Sequence, residues 1–289
     1  MLSLTTLIAE PWKDYGLLDS GNGRKLERYG RYRFVRPEPQ ALWRPAQTDW
    51  DPDASFIPGS DEDGGGRWEF HRPVPAEGWE LGWQDIRFRA QCTPFRHLAF
   101  FPDMAPQWIW MRERLGGGTE ALNMFGYTGA GTLALAATGA SLVHLDASKK
   151  SVEAARENAR LSGMADRPIR WIIDDAAKFA SREVRRTRRY DGIILDPPKY
   201  GRGPAGETWK LEEGLAPLIA DCAKLLDHDS RFLVLTVYAI RMSALAIGEL
   251  LTQALAPLGG RIECGEMAVR EEARGLLLPT AIFARWSRD

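Results

Sequence analysis

Cysteine is scarce and scattered. Cys92, Cys222 and Cys264 are the only three among 289 residues, and no two share the spacing of a metal knuckle or a disulfide framework. No metal is expected, and a reducing, cytoplasmic setting is. Long apolar runs are also missing, since no stretch approaches the ~18–20 residues that cross a bilayer, so no membrane partner is expected. Met1 to Trp12 contains no basic leader and soon meets Glu10 and Asp14, which argues against a secretory signal. Neither sign of charge is in excess: 38 Lys and Arg face 39 Asp and Glu, a net charge of −1. Bulk charge therefore makes no case for nucleic acid. No internal repeat is visible.

What the chain does have is local asymmetry. Between Arg24 and Arg44, seven basic residues (Arg24, Lys25, Arg28, Arg31, Arg33, Arg36, Arg44) stand against Glu27 and Glu38. A second basic cluster, Arg182 to Arg189, closes an expected helix. There cations are also favoured by the helix dipole, and a charge run is commonly a solvated face. Six of the eleven tryptophans fall in the first ninety or so residues, with many prolines and short alternating runs such as Tyr32–Val35 and Trp68–Phe70. Residues 1–95 are expected to form a small β-rich domain, with a loop from Pro58 to Gly66.

From about Pro106 the rhythm becomes strand–helix–strand, and residues 96–289 are expected to form an α/β domain. Strands are expected at Ala121–Phe125, Leu142–Leu145, Ile169–Ile173, Asp191–Leu195 and Phe232–Thr236. Helices are expected near 132–138, from Ser148 to Gly163, and near 176–189, 211–226 and 244–256. Two late strands, near 261–269 and 276–286, should make a closing hairpin. The fold class is a Rossmann-like, mostly parallel sheet with an antiparallel end, preceded by the β-rich domain.

The strand ends carry the chemistry. Asn123-Met124-Phe125-Gly126-Tyr127-Thr128-Gly129-Ala130-Gly131-Thr132 is a glycine turn between the first strand and first helix of this domain. Its G-x-x-G-x-G spacing differs from the G-x-G-x-x-G of dinucleotide folds. Twenty residues after Gly126, Asp146 ends the second strand, where it can accept both ribose hydroxyls of an adenosine. Asp175, after the third strand, is placed to accept from an adenine amino group. The fourth strand stops at Asp196-Pro197-Pro198-Lys199-Tyr200, a stiff turn because proline lacks an N–H and fixes φ. That turn is a rack of hydrogen-bond acceptors suited to a substrate bearing N–H groups.

In this order the motifs resemble the class I S-adenosylmethionine-dependent methyltransferases. More closely, Phe125–Gly129, Asp146-Ala147-Ser148 and Asp196–Tyr200 resemble bacterial ribosomal RNA large-subunit methyltransferases and an uncharacterised branch beside them. The resemblance runs from about Phe100 to the C-terminus, and Leu18–Arg28 is similar to the leader of that branch. It implies S-adenosylmethionine as cofactor in the strand-end crevice, with Asp146 on ribose, Asp175 on adenine and Gly126–Gly129 under the methionine portion. Phe101, Asn123, Tyr127, Thr128, Ala147, Ser148, Ala176 and Asp196 complete the expected cofactor set. In the family a Gln-Arg pair follows the Phe-x-Asp of the entry segment, and Phe101-Pro102-Asp103-Met104-Ala105 lacks it.

The resemblance also bears on the acceptor. RNA cytosine-C5 enzymes of this family place a nucleophilic cysteine after the fifth strand, where this chain reads Leu235–Arg241 without one. Attack by nitrogen is expected, with Asp196, Pro197 and Lys199 as catalytic residues and Tyr200, Tyr238 and Arg241 holding a planar substrate. Oxygen attack comes second. RNA, ribosomal above all, is the expected partner. The alternatives are a small-molecule or protein N-methyltransferase, a silent cofactor-binding RNA module, and, disfavoured by the glycine spacing, an NAD-dependent dehydrogenase.

Overall fold

A computed structural model describes residues 2–59, 65–238 and 241–288. In chain order its first strands are β1 (Ser3–Ala9), β2 (Tyr15–Gly21), β3 (Arg24–Tyr29), β4 (Tyr32–Pro37), β5 (Ala54–Pro58), β6 (Gly66–Phe70), β7 (Trp79–Trp83) and β8 (Ile86–Ala90). Then come α1 (Ala105–Arg112), β9 (Glu120–Met124), α2 (Ala130–Ala136), β10 (Ser141–Asp146), α3 (Lys149–Leu161), β11 (Ile169–Ile173), α4 (Ala176–Arg185) and β12 (Gly192–Leu195). The chain closes with β13 (Tyr200–Arg202), β14 (Thr208–Lys210), α5 (Leu211–Lys224), β15 (Phe232–Tyr238), α6 (Ala244–Leu255), β16 (Arg261–Arg270) and β17 (Leu277–Ser287). No helix of the described residues is long and apolar enough to cross a membrane.

The chain forms two compact units that interleave. One comprises Met1–Leu7, Gln107–Met267 and Ala281–Asp289, and the other Ile8–Pro106 and Ala268–Thr280. Residues 96–106 and 268–280 thus group with the smaller unit. The later segment does so through backbone pairing, in which the Glu272 N–H donates to the Leu17 carbonyl at 2.8 Å.

The smaller unit is built on the sheet β2-β3-β4-β5-β6 and the hairpin β7-β8. The β2–β3 turn is Asn22-Gly23, with φ of 52° and 74°, the positive pair that a two-residue type I′ turn needs. Its tryptophans go into aromatic packing: Phe34 stacks on Trp79 at 5.4 Å and meets Trp68 edge-on at 5.5 Å. The basic run from Arg24 to Arg44 is not a free patch. Arg36 lies fully inside the unit, donating to Glu27 Oε2 and to the Tyr29 hydroxyl, both at 2.7 Å. Lys25 pairs with Glu38 at 3.2 Å, and Arg28 donates to the Lys13 carbonyl at 2.6 Å. A second buried cluster joins distant parts of the sequence. Asp19 accepts from the Ala46 and Gln47 amides, Trp50 Nε1 and Arg274 Nη2, while Ser20 Oγ donates to Glu271.

The larger sheet runs β1-β16-β17-β15-β12-β9-β10-β11. Pairs β9–β10, β10–β11, β9–β12 and β12–β15 are parallel, and β15–β17 is antiparallel. Apolar alternation assigns the faces. Leu122, Met124, Val143, Leu145, Ile193, Leu195, Leu233 and Leu235 join one core with residues of α4, α5 and α6. Asn123 and His144, offset by one residue, point to the opposite face, where α2 meets them. Strand order reverses between β9 and β12: the chain passes from β9 outward to β10 and β11, then returns to β12 and continues the other way. In such sheets the ligand crevice opens at that reversal, beyond the carboxyl ends of the strands.

Candidate functional site

Register brings the expected acids level. Leu145 pairs with Met124, so Asp146 and the glycine turn leave neighbouring strands at one height. Leu195 pairs with Met124 on the other side, so Asp196 emerges at that height too. Asp146 pairs with Ile173, which places Asp174-Asp175 just beyond it, and Leu195 pairs with Leu235 three residues before Tyr238.

The glycine turn is backbone under tension. Phe125, Tyr127 and Gly129 have φ of 59°, 47° and 84°. For the first two, which are not glycine, this conformation costs about 1–3 kcal/mol each, the sort of outlier that concentrates at ligand clamps. Surrounding structure enforces it. The Gly126 N–H donates to the Leu145 carbonyl at 2.9 Å, the Tyr127 N–H to Asp146 Oδ2 at 2.9 Å, and Asn158 Nδ2 to the Thr128 carbonyl at 2.8 Å. A Cβ on Gly126 would fall 2.6 Å from the His144 ring, and one on Gly129 2.8 Å from the Ala155 Cβ. Glycine at both positions is thus a packing requirement.

Beneath the turn lies a polar bracket that sequence reading did not find. Asn123 Nδ2 donates to Thr132 Oγ1 at 2.8 Å, and Thr132 Oγ1 shares a hydrogen bond of 2.8 Å with His144 Nδ1. Burial pushes the His144 imidazole down to about 3, against a smaller opposing pull from the Tyr127 backbone, so the ring is neutral near pH 7. Asn123 is itself buried. Its side chain braces α2 from below.

The strand-end carboxylates have structural duties. Asp146 accepts from the Tyr127 and Ser148 amides; burial raises its pKa and those two N–H groups oppose the rise. Ser148 caps α3, its Oγ accepting from the Ser151 N–H at 3.2 Å, with Ala147 between them. Asp175 caps α4 by accepting from the Lys178 N–H at 2.9 Å, and Ala176 begins that helix. A carboxylate has about four lone-pair sites, so these bonds leave acceptor capacity at both. Two ribose hydroxyls and one exocyclic amine are the donors an adenosine offers, and the set present fits them. Among the described residues no group of three or more His, Cys, Asp or Glu could hold a metal ion.

Asp196 is half-buried and Pro197 buried, while Pro198, Lys199 and Tyr200 are exposed. The turn opens into the hairpin β13–β14, which sequence reading missed; its Trp209 Nε1 donates to the Pro198 carbonyl at 2.7 Å. Tyr238 ends β15 and is half-buried; Arg241 is exposed beyond residues 239–240, which lie outside the described set. Phe101 belongs to the smaller unit, where it precedes a short turn at Pro102–Met104 and its ring lies 5.5 Å from His97. The basic cluster at the end of α4 and just beyond it is mostly engaged: Arg182 pairs with Asp174, Arg186 with Glu183 and Arg188 with Glu120.

A test of the turn follows directly. Gly126→Ala drives a methyl into His144, so calorimetry with S-adenosylhomocysteine should show at least ~10-fold weaker binding, about 1.4 kcal/mol. Wild-type affinity in that variant would mean the turn is not the cofactor's seat.

A family model described as S-adenosylmethionine-dependent methyltransferase matches residues 62–215, more than half of the chain. The crystal structure of the SAM-dependent methyltransferase from Agrobacterium tumefaciens superposes with a TM-score of 0.94 at 41% identity, covering 99% of this chain and 94% of that one. A putative methyltransferase, SMU.776, complexed with SAH has a TM-score of 0.71 at 14% identity, covering 95% of this chain and 75% of that one, a likeness of fold alone. Among curated proteins, the ribosomal RNA large subunit methyltransferase K/L of Magnetococcus marinus is 29% identical over 152 residues, which is 50% of this chain and 20% of that protein. The ribosomal RNA large subunit methyltransferase I of Aeromonas hydrophila is 33% identical over 89 residues, 30% of this chain and 22% of that protein. The matched stretches thus span about a fifth of those curated relatives. With its strand order, glycine turn and strand-end acids, the chain belongs to the S-adenosylmethionine-dependent methyltransferase family.

Proposed function

We propose that this protein methylates a nitrogen of a base in RNA, with ribosomal RNA the favoured acceptor. The observation that carries this reading is the register Leu195–Met124, which sets the Asp196-Pro197-Pro198 turn beside the glycine turn at the same height. Bound S-adenosylmethionine supplies an electrophilic methyl group on a sulfonium. An exocyclic base nitrogen is a weak nucleophile because its lone pair is delocalised into the ring. Asp196 and the Pro197 carbonyl accept its N–H groups, localise that pair and stabilise the positive charge that grows as N–CH₃ forms and S–CH₃ breaks. The nitrogen then passes one proton to solvent, leaving a neutral methylated amine and a neutral thioether.

Carbon attack on cytosine is disfavoured. Cys222 is fully buried in α5 with its thiol pushed well up by burial, and Cys264 is buried in β16. In this reading Tyr200 stacks on a base turned out of its strand, Lys199 meets a phosphate, and Tyr238 and Arg241 hold the planar ring. The smaller unit helps dock the RNA. The names of the curated relatives support a ribosomal acceptor.

The internal pairing of Arg36, Lys25 and Arg28 favours a second reading, an N-methyltransferase for a small molecule or a protein side chain, since it removes much of the local positive field. Mass spectrometry of RNA nucleosides from a deletion strain against its parent separates the two. The first reading requires one methylated nucleoside to disappear and to return on complementation. An unchanged profile moves the acceptor outside RNA.

A further inference from the structure

Pro197 and Pro198 have no N–H, so neither can tie the turn down with a backbone donor. Among the turn's carbonyls, two are held from outside it. The Leu211 N–H donates to the Lys199 carbonyl at 3.0 Å, and Trp209 Nε1 donates to the Pro198 carbonyl at 2.7 Å. The second bond comes from a residue that no motif identifies.

Trp209 also reaches the other turn. Its ring centroid lies 5.1 Å from that of Phe125, tilted by 54°, and Phe125 is the strained residue that opens the glycine turn. The indole is 6% exposed, and the fold is cut to admit it. A Cβ on Gly214 of α5 would lie 2.6 Å from Trp209 Cζ3, so glycine there makes room for the six-membered ring. Opposite Trp209 in the hairpin stands Gly201, where a Cβ would lie 3.4 Å from Pro198 Cγ and 3.7 Å from Trp209 Cβ. Tyr200, Arg202, Thr208 and Lys210 point outward and are exposed. The hairpin is fastened near its tip by the Gly203 N–H to the Glu207 carbonyl at 2.9 Å and by Lys178 to Glu207 at 2.5 Å.

We infer that Trp209 is a positioning residue for methyl transfer, a spacer that fixes the acceptor-side turn at Asp196–Lys199 against the donor-side turn at Phe125. The inference rests on the proposed reading of the Asp196 turn as the acceptor site. In-line displacement tolerates little error in this separation, since a misplacement of about 1 Å can cost ~10²-fold in rate. Trp209 touches neither reactant in this scheme. It acts through the Pro198 carbonyl and through Phe125.

Trp209→Phe keeps an aromatic ring against Phe125 and removes the donor. With the full chain, labelled S-adenosylmethionine and total RNA from a deletion strain, this variant should lose about 10- to 100-fold in kcat. KM for RNA should stay within about threefold, because nothing that holds RNA has been removed, and calorimetric affinity for S-adenosylhomocysteine within about twofold. Trp209→His, which restores a ring N–H, should recover part of the lost kcat. A purely structural role would lower melting temperature, cofactor affinity and rate together, with no rescue by histidine.

Hydrogen–deuterium exchange gives a readout that needs no acceptor. Trp209→Phe should speed exchange in the peptide covering 199–203 and leave 146–152 unchanged. Wild-type kcat, or unchanged exchange at 199–203, overturns the inference. If wild-type protein transfers no methyl to RNA, the RNA reading falls instead, and exchange alone decides the role of Trp209.

Discussion

Asp196→Asn should reduce methyl transfer by at least ~10²–10³-fold, the scale seen when one preorganised polar group is removed from a site where charge develops. The substitution preserves shape and packing and changes one acceptor oxygen into an NH₂ group that opposes the acceptor's own N–H. Cofactor affinity should hardly move, because the glycine turn is anchored to Leu145, Asp146 and Asn158. Transfer of labelled methyl to RNA, read beside calorimetry with S-adenosylhomocysteine, measures both. Transfer at the wild-type rate would remove Asp196 from the mechanism, and equal loss of binding and rate would make it a cofactor residue alone.

The second large effect concerns stability. Arg36→Met leaves the Glu27 carboxylate buried without its main partner, and breaking a buried pair from one side costs about 3–5 kcal/mol. Both side chains are nearly inaccessible, at 8% and 1% exposure, so water cannot replace the lost bonds. Burial by itself would raise the Glu27 pKa, but Arg36, Lys25 and the Tyr15 hydroxyl outweigh it and hold the carboxyl below its ordinary 4.5. The sign then follows from linkage. A depressed pKa contributes stability that is complete above about 4.5 and is lost as pH falls through the folded value. In Arg36→Met burial dominates and lifts the Glu27 pKa above its unfolded value, so acidification through that value relieves the buried charge, and the deficit against wild type should be largest near pH 7 and shrink towards pH 3. Thermal melting from pH 7 to pH 3 checks this. Adding Glu27→Gln to Arg36→Met should return part of the loss, since the orphaned charge is gone. An Arg36→Met protein as stable as wild type would mean that the buried pair has little net worth.

Much of the larger unit could be read from local pattern. Ile169–Ile173 was expected as a strand and is one; Ser148 was expected to cap a helix and does. Both depend on periodicity and side-chain chemistry within a few residues. Elements set by distant neighbours were not legible. Ser3–Ala9 lies within the stretch 1–95 expected as the first domain, yet it forms the edge of the large sheet beside β16. Nothing within seven residues says which sheet an edge strand will join. The strands Tyr200–Arg202 and Thr208–Lys210 are three residues each, too short for alternation to show.

At the site, residue types were legible and their supports were not. The strand-terminal acids stand out because β-branched runs stop at them. The Asn123–Thr132–His144 bracket joins side chains from three elements, none remarkable alone. Positive φ at Phe125 and Tyr127 is invisible in sequence, because neither residue type favours that conformation. The basic run at Arg24–Arg44 stayed open for a related reason: a cation count cannot show that Arg36 faces inward to meet Glu27.

The interleaving of the two units has a consequence for how the protein is made. Asp19 is synthesised 255 residues before its partner Arg274, and Ser20 251 residues before Glu271. A nascent chain holding residues 8–106 has the strands of the smaller unit but not the charges that close its Asp19 cluster. That unit therefore completes its folding only after nearly all of the larger one has been synthesised, the reverse of the usual N-terminal-first order. A stop at residue 267 would cost more than a C-terminal hairpin, because it would leave the amino-terminal unit unfinished.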